Sequence, residues 1–147
     1  MHARPLALSC GAACFVFVVQ IAAFSPLARA ADAEKPYKVV DGKVDMHVYN
    51  GYRRYGDSCL RCHGPDGAGS SFAPALTESL THLTYDQFAE TVINGRKDVT
   101  TSTTNVMPAF GTTEDVVNYL DDIYAYLKAR SDGVVGRGRP QRMNDNG

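Results

Sequence analysis

Apolar residues recur along this chain in two rhythms, and each predicts a different kind of element. From Leu6 to Phe24 they run almost without a break, through Phe15-Val16-Phe17-Val18-Val19, behind a short basic start at Met1 to Arg4. Ala28-Arg29-Ala30 follows as a small-x-small site, so residues 1–30 read as a signal peptide cleaved near Ala30/Ala31. An uncleaved membrane anchor is the rival reading, because the run approaches bilayer-spanning length, but the cleavage site favours export. Past this leader the rhythm becomes helical. Val48, Tyr52 and Tyr55 recur at helical spacing between about Val44 and Leu60, with Gly51 on an adjoining face, and predict a first helix. Thr84-Tyr85-Asp86-Gln87 has the form of a capping box and opens a second, with Phe88, Val92 and Ile93 on one face and Asn94-Gly95 as its stop. A third starts at Thr112 or Thr113 as N-cap, with Glu114 and Asp115 placed to complement the helix dipole. Val116, Leu120, Ile123 and Leu127 form its core stripe, flanked by Tyr119 and Tyr126, and Lys128 and Arg130 close it. Asp121 and Asp122 are assigned to the opposite, solvated face.

The segments between these helices are rich in turn formers. Residues 31–43 read as an N-terminal arm, polar apart from a short strand-like patch at Tyr37 to Val40 and an Asp41-Gly42 turn signal. Gly64-Pro65-Asp66-Gly67-Ala68-Gly69 cannot continue a helix, and Phe72-Ala73-Pro74-Ala75-Leu76 is an apolar loop suited to packing on a large flat ligand. Arg96 to Asn105 is polar, threonine-rich and without helical period, and is read as a loop. Gly51 and Gly56 stand inside the first helix, where glycine costs about 1 kcal/mol relative to alanine. Close approach of another helix would be one reason for them; alternatively Gly56-Asp57 simply ends the helix, with the cysteine-bearing segment after it beginning a fresh turn. The fold class is all-α: three main helices and long loops in one domain over residues 44–131, followed by a basic, flexible tail over residues 132–147.

Composition sharpens this picture at the cysteines. Cys10 and Cys14 leave with the leader, so the mature chain keeps only Cys59 and Cys62 and has no second pair for a structural disulfide. Removing 30 of 147 residues leaves 117, a size at which exported domains often need bridges, so another agent must fill the core. Removing Arg4 and Arg29 leaves 13 basic against 16 acidic side chains, a formal −3, and nothing points to nucleic acid as a partner. Cys59-Leu60-Arg61-Cys62-His63 supplies the agent. It reads as an attachment site for a c-type haem, where two thiols one turn apart add to the porphyrin vinyl groups and the next imidazole reaches the iron. A zinc site would need four ligands, and a redox dithiol would ordinarily follow a strand that is missing here.

The sixth iron position then separates carriers from ligand binders and enzymes. Met107 lies 44 residues after His63, and Pro108 holds its loop extended, which suits a sulfur that must reach across the porphyrin. Met46, Met143, His47 and His82 are the rivals, and a core role for Met107 is the bland alternative. His63 and Met107 as metal ligands would favour the ferrous state and leave no open position on the iron. If Met107 were absent from the iron, a haem enzyme or gas sensor would be the alternative function.

With these residues in hand, the chain resembles class I c-type cytochromes over roughly Val44 to Arg130. Gly51, Tyr55, Cys59-Leu60-Arg61-Cys62-His63-Gly64, Pro74 and Met107-Pro108-Ala109-Phe110 stand in the order of that family. The resemblance implies that the first and last helices cross near Gly51 and that the Pro74 carbonyl receives the His63 ring N–H. It extends more closely to the cytochrome c-L family, electron acceptors of pyrroloquinoline-quinone (PQQ) methanol dehydrogenases. The segments that carry this are Tyr37 to Asp45, His63 to Leu76, Asp121 to Arg130 and the Gly136-Arg137-Gly138-Arg139-Pro140 tail. The chain departs from members with an additional disulfide. What the likeness implies is a non-enzymatic periplasmic carrier with one haem c, and an arm and tail packed around the domain. Its donor would be a PQQ-dependent methanol or alcohol dehydrogenase and its acceptor another cytochrome c or terminal oxidase, with no stable membrane insertion after leader removal.

Overall fold

The computed structural model describes residues 34–99 and 104–143. The leader and its cleavage point lie outside the described residues. The elements are β1 (Val39–Val40), β2 (Lys43–Val44), α1 (Met46–Ser58), α2 (Leu60–His63), a 3-10 turn (Pro65–Gly67) and α3 (Leu76–Ser79). They continue with α4 (Tyr85–Asn94), β3 (Arg96–Val99), β4 (Thr104–Met107), α5 (Glu114–Asn118), α6 (Leu120–Ser131) and β5 (Gln141–Arg142). The domain is mostly helical, as expected, with α1 and α6 crossing at its centre.

The crossing is set by one glycine. A Cβ on Gly51 would stand 1.8 Å from the backbone oxygen of Asp122 and 2.9 Å from the Tyr126 Cβ, so α6 lies directly on the α1 backbone. Around this contact Val48, Tyr55, Ile123, Tyr126 and Leu127 are buried to 2% exposure or less, and Tyr126 meets the Tyr52 and Tyr55 rings at 5.6 and 5.7 Å. Aromatic packing of this kind adds to area burial. The open space around Gly56 and the run of α1 to Ser58 show that Gly56-Asp57 does not end the helix. Its start is later than the periodicity suggested: Asp45 is the N-cap, accepting from the Val48 amide at 3.0 Å, and Val44 belongs to β2.

The capping box of α4 is present, with Thr84 accepting from the Gln87 amide and the Gln87 side chain accepting from the Thr84 amide. The third helix is broken. Tyr119, at φ −118° and ψ 23°, separates α5 from α6. The whole predicted stripe is nevertheless buried, because the break leaves Val116 on the same side of the domain as Leu120, Ile123 and Leu127. Thr113 occupies the N-cap without a side-chain hydrogen bond.

Three readings from the sequence need correction. Arg96 to Asn105 is not irregular: β3 and β4 pair antiparallel, with Arg96 opposite Met107 and Val99 opposite Thr104. Threonine and valine favour such extended pairing even where both faces are exposed. Asp122 is buried, not solvated, because the α1 crossing covers its side of α6. The tail is not flexible through its described part. Val135 is 4% exposed, Pro140 is buried, and β5 pairs parallel with β2, which itself pairs antiparallel with β1 across the Asp41-Gly42 turn. Positive φ at both turn residues, 50° and 73°, is what such a two-residue hairpin demands.

Buried Asp122 is partnered by His47 Nδ1 at 2.6 Å, an ion pair that ties the start of α1 to α6. The hydrogen bond and charge of Asp122 raise the His47 pKa above its ordinary value. A pKa raised on folding stabilises the fold fully below the unfolded value near 6.5, and this contribution is lost as pH rises through the folded value. We therefore expect denaturant midpoints to decline from about pH 6 toward pH 8, and the decline to flatten in His47→Gln. Equal slopes in both proteins would exclude this pair as the cause.

Candidate haem site

Cys59 falls between α1 and α2, its amide donating to the Tyr55 carbonyl at 2.9 Å while its own carbonyl receives the His63 amide at 3.0 Å. That single turn places Cys59, Cys62 and His63 within one short helical segment. Cys59 is partly buried and Cys62 exposed. Burial, followed by the neighbouring Cys62, pushes the Cys59 thiol up to about 11. A redox dithiol needs the opposite, a thiol made easy to ionise, so this environment argues against that rival.

His63 is 7% exposed, and its Nδ1 lies 3.0 Å from the Pro74 carbonyl oxygen. A carbonyl can only accept, so this contact fixes the proton on Nδ1 and leaves Nε2 as the ring's free lone pair. The 3-10 turn after His63 is closed by Tyr55. Its hydroxyl donates to the Gly64 carbonyl and accepts from the Gly67 amide at 3.0 Å, while the Gly69 amide reaches back to the His63 carbonyl at 2.8 Å. Burial pushes the Tyr55 phenol up to about 12, so it remains protonated and able to play both roles. Tyr55→Phe should cost about 1–3 kcal/mol in chemical denaturation, because two buried backbone groups lose their partner. A loss below about 0.5 kcal/mol would mean the turn relaxes without the hydroxyl.

Met107 ends β4 and is partly buried against the common core cluster, as are Cys59 and Phe110. Its support comes from α4. The Phe110 and Gly111 amides donate to the Val92 and Ile93 carbonyls, each at 3.0 Å, and a Cβ on Gly95 would come within 2.6 Å of the Met107 oxygen. Gly95, with φ 74°, thus both ends α4 and lets the Met107-Pro108-Ala109 backbone lie against it. The structure brings Cys59, Cys62, His63 and Pro74 together directly. Met107 is presented separately, on a strand braced by α4. Three of the four rival ligands have other partners: His47 with Asp122, His82 with the Thr81 hydroxyl at 3.0 Å, and Met46 Sδ with Arg142 at 3.5 Å. Phe72, expected against a flat ligand, is 75% exposed to the surroundings of the polypeptide.

These residues fit a covalent haem: two thiols one turn apart, an imidazole with its outer nitrogen fixed as a donor pair, and a separately braced thioether. Asp66 was missed as a feature of the site. It sits in the 3-10 turn with φ 60° and is only 9% exposed. An aspartate inside a glycine-rich turn was the available signal, since aspartate is one of the few side chains that tolerates positive φ.

Together, the helix crossing and the Cys59–His63 turn define a domain built around a covalently attached porphyrin. The family model described as cytochrome C oxidase, cbb3-type, subunit III, matches residues 48–127. Cytochrome c-553I of Paracoccus denitrificans is 49% identical over 110 residues, covering 74% of this chain and 49% of that protein. Cytochrome c-555 of Methylococcus capsulatus is 41% identical over 100 residues, covering 67% of this chain and 75% of the relative. The crystal structure of the c-type cytochrome XoxG from Methylobacterium extorquens AM1 superposes with a TM-score of 0.67 at 45% identity, covering 75% of this chain and 67% of that one. This chain belongs to that family as a class I c-type cytochrome related to cytochrome c-L, with haem c attached through its cysteines. The chain spans about half the length of cytochrome c-553I. Among the described residues no helix is long and apolar enough to cross a membrane.

Proposed function

We propose that this protein works in the periplasm as a non-enzymatic shuttle with His63 and Met107 as the two axial ligands of its iron. It accepts single electrons from a PQQ-dependent methanol or alcohol dehydrogenase and delivers them to another c-type cytochrome or a terminal oxidase. The observation that carries the axial assignment is the His63 contact with Pro74. It commits one ring nitrogen to a carbonyl and frees the other for the metal. The bound haem supplies a reversible one-electron couple, and the chain's own task is to hold two donors still while that couple turns over. Buried Tyr55 and the α1–α6 crossing do this on the histidine side, and the α4 brace does it behind Met107. The donor assignment rests on the cytochrome c-L likeness of the arm and tail, which in this chain are joined through β2 and β5.

Stopped-flow mixing tests the donor. Ferric protein combined with a PQQ methanol dehydrogenase and methanol should be reduced, faster at low ionic strength if charge guides the transient encounter. Absence of haem reduction above the background without enzyme would remove the dehydrogenase from the reading and leave the carrier class untouched.

A further inference from the structure

The turn that leaves the haem-attachment helix is held from two directions, and only one of them belongs to the haem-binding core. On the inside, Tyr55 ties Gly64 to Gly67. On the outside, the C-terminal segment is bound to Asp66. Its Oδ1 accepts from the Gly138 amide at 2.9 Å, and its Oδ2 faces Arg137 Nε at 3.4 Å. Its backbone oxygen accepts from Arg130 Nε at 3.3 Å, and Arg130 also donates to the Val135 carbonyl at 2.6 Å. The segment does not end there: β5 joins β2, and the Met143 amide donates to the Val44 carbonyl at 2.8 Å.

Asp66 adopts positive φ, and its carboxyl group is 10% exposed. A buried carboxylate is tolerated when its oxygens are satisfied, and here the partners come from residues 71 and 72 positions away. Asp66 is three residues from His63, and the turn it occupies is bonded back to that histidine's carbonyl through Gly69. Charge placed so close to the attachment helix, away from bulk water, interacts with a centre whose own charge changes by one.

We propose that Asp66 is a positioning residue of the haem site: it latches the C-terminal segment onto the turn behind His63, and the Asp66–Arg137 pair tunes the reduction potential. The inference rests on His63 as an axial ligand. It adds that residues 133–143 are a functional part of the redox centre and not an appendage.

The two partners make opposite predictions, which a purely structural role would not. Asp66→Asn keeps an acceptor for the Gly138 amide but leaves the Arg137 cation uncompensated. The more positive ferric state is then disfavoured, and the potential should rise. Arg137→Gln leaves the carboxylate less compensated, so the potential should fall. In the haem-loaded full-length protein, equilibrated with a redox dye, we expect a three- to tenfold shift for Asp66→Asn, about 30–60 mV at 59 mV per tenfold. Arg137→Gln should give a smaller, opposite shift, about two- to threefold, because its side chain is 76% exposed. The double variant should return toward wild type. Limited proteolysis of the tail should quicken in both single variants. Shifts of the same sign, or potentials within experimental error of wild type in both, would overturn the proposal. Should Asp66→Asn fail to load haem, Arg137→Gln still decides, since it alters only an exposed side chain. A wild-type spectrum lacking nitrogen ligation would instead sink the His63 assignment, so the two failures are told apart.

Discussion

Gly51→Ala is expected to abolish stable folding of the haem-loaded domain, although it adds a single methyl group. The new Cβ would lie 1.8 Å from the Asp122 oxygen and 2.5 Å from its carbonyl carbon, and neither is the end of a side chain that can swing aside. Relief therefore requires α1 and α6 to separate. Separation would open the contacts of Tyr126 with Tyr52 and Tyr55 and stretch the His47–Asp122 pair, all of which meet at this crossing. Overpacking in a close-packed core costs about 1–3 kcal/mol when neighbours can adjust, and a clash with rigid backbone exceeds that range. A loss above about 3 kcal/mol is a large share of the 5–15 kcal/mol that holds a typical domain together. Denaturant titration of the exported, haem-bearing variant measures it, with poor yield or a collapsed midpoint expected. A midpoint shifted by less than about 1 kcal/mol equivalent would show that the helices can part without loss, and the crossing would then not organise the fold. Gly56→Ala is the matched control. Nothing lies within 4 Å of its added Cβ, and better helix propensity should leave stability equal or higher by up to about 1 kcal/mol.

That contrast between two glycines of one helix shows what could and could not be read from the sequence. Periodicity placed Val48, Tyr52 and Tyr55 correctly on α1, because a helix buries one face whatever it packs against. It could not say which glycine lay under the crossing; the family resemblance supplied Gly51, and the geometry explains it. The same limit accounts for Asp122. A charged residue beside Asp121 looks solvated until a second helix covers its side of α6 and His47, 75 positions away, meets it. The break at Tyr119 was hidden because the buried stripe keeps its spacing across the kink. At the site, the attachment motif was legible because it spans five consecutive residues, whereas the Pro74 contact, 11 positions from His63, came from the family resemblance. The docking of the tail depends on pairing between residues about 100 positions apart, Lys43 with Gln141 and Val44 with Arg142, and no local pattern announces it. Arginine and glycine there suggested mobility, yet the glycines permit the turns and Arg137 faces a buried carboxylate.

Met107→Ala is expected to change the chemistry as drastically as Gly51→Ala changes the fold, while leaving the fold in place. The Met107 backbone is held by Arg96 across the hairpin and lies against Gly95, and neither contact uses the side chain. Truncation therefore removes the thioether without releasing the strand. If that sulfur is the sixth ligand, its loss withdraws the soft donor that favours ferrous iron, and the potential should fall. A fall on the order of 100 mV or more is in proportion to the about 0.8 V that axial ligands span across haem proteins. The vacated position should bind carbon monoxide readily in the reduced variant, whereas the wild type should bind it slowly or not at all. Reduction by the dehydrogenase should slow with it, since the driving force shrinks. Met46→Ala, whose sulfur contacts Arg142 at the far end of α1, should leave both spectrum and potential unchanged. Identical carbon monoxide binding in wild type and Met107→Ala would mean that the sixth position was open from the start. The reading of this protein as a closed-shell shuttle would then give way to one in which a small molecule reaches the metal.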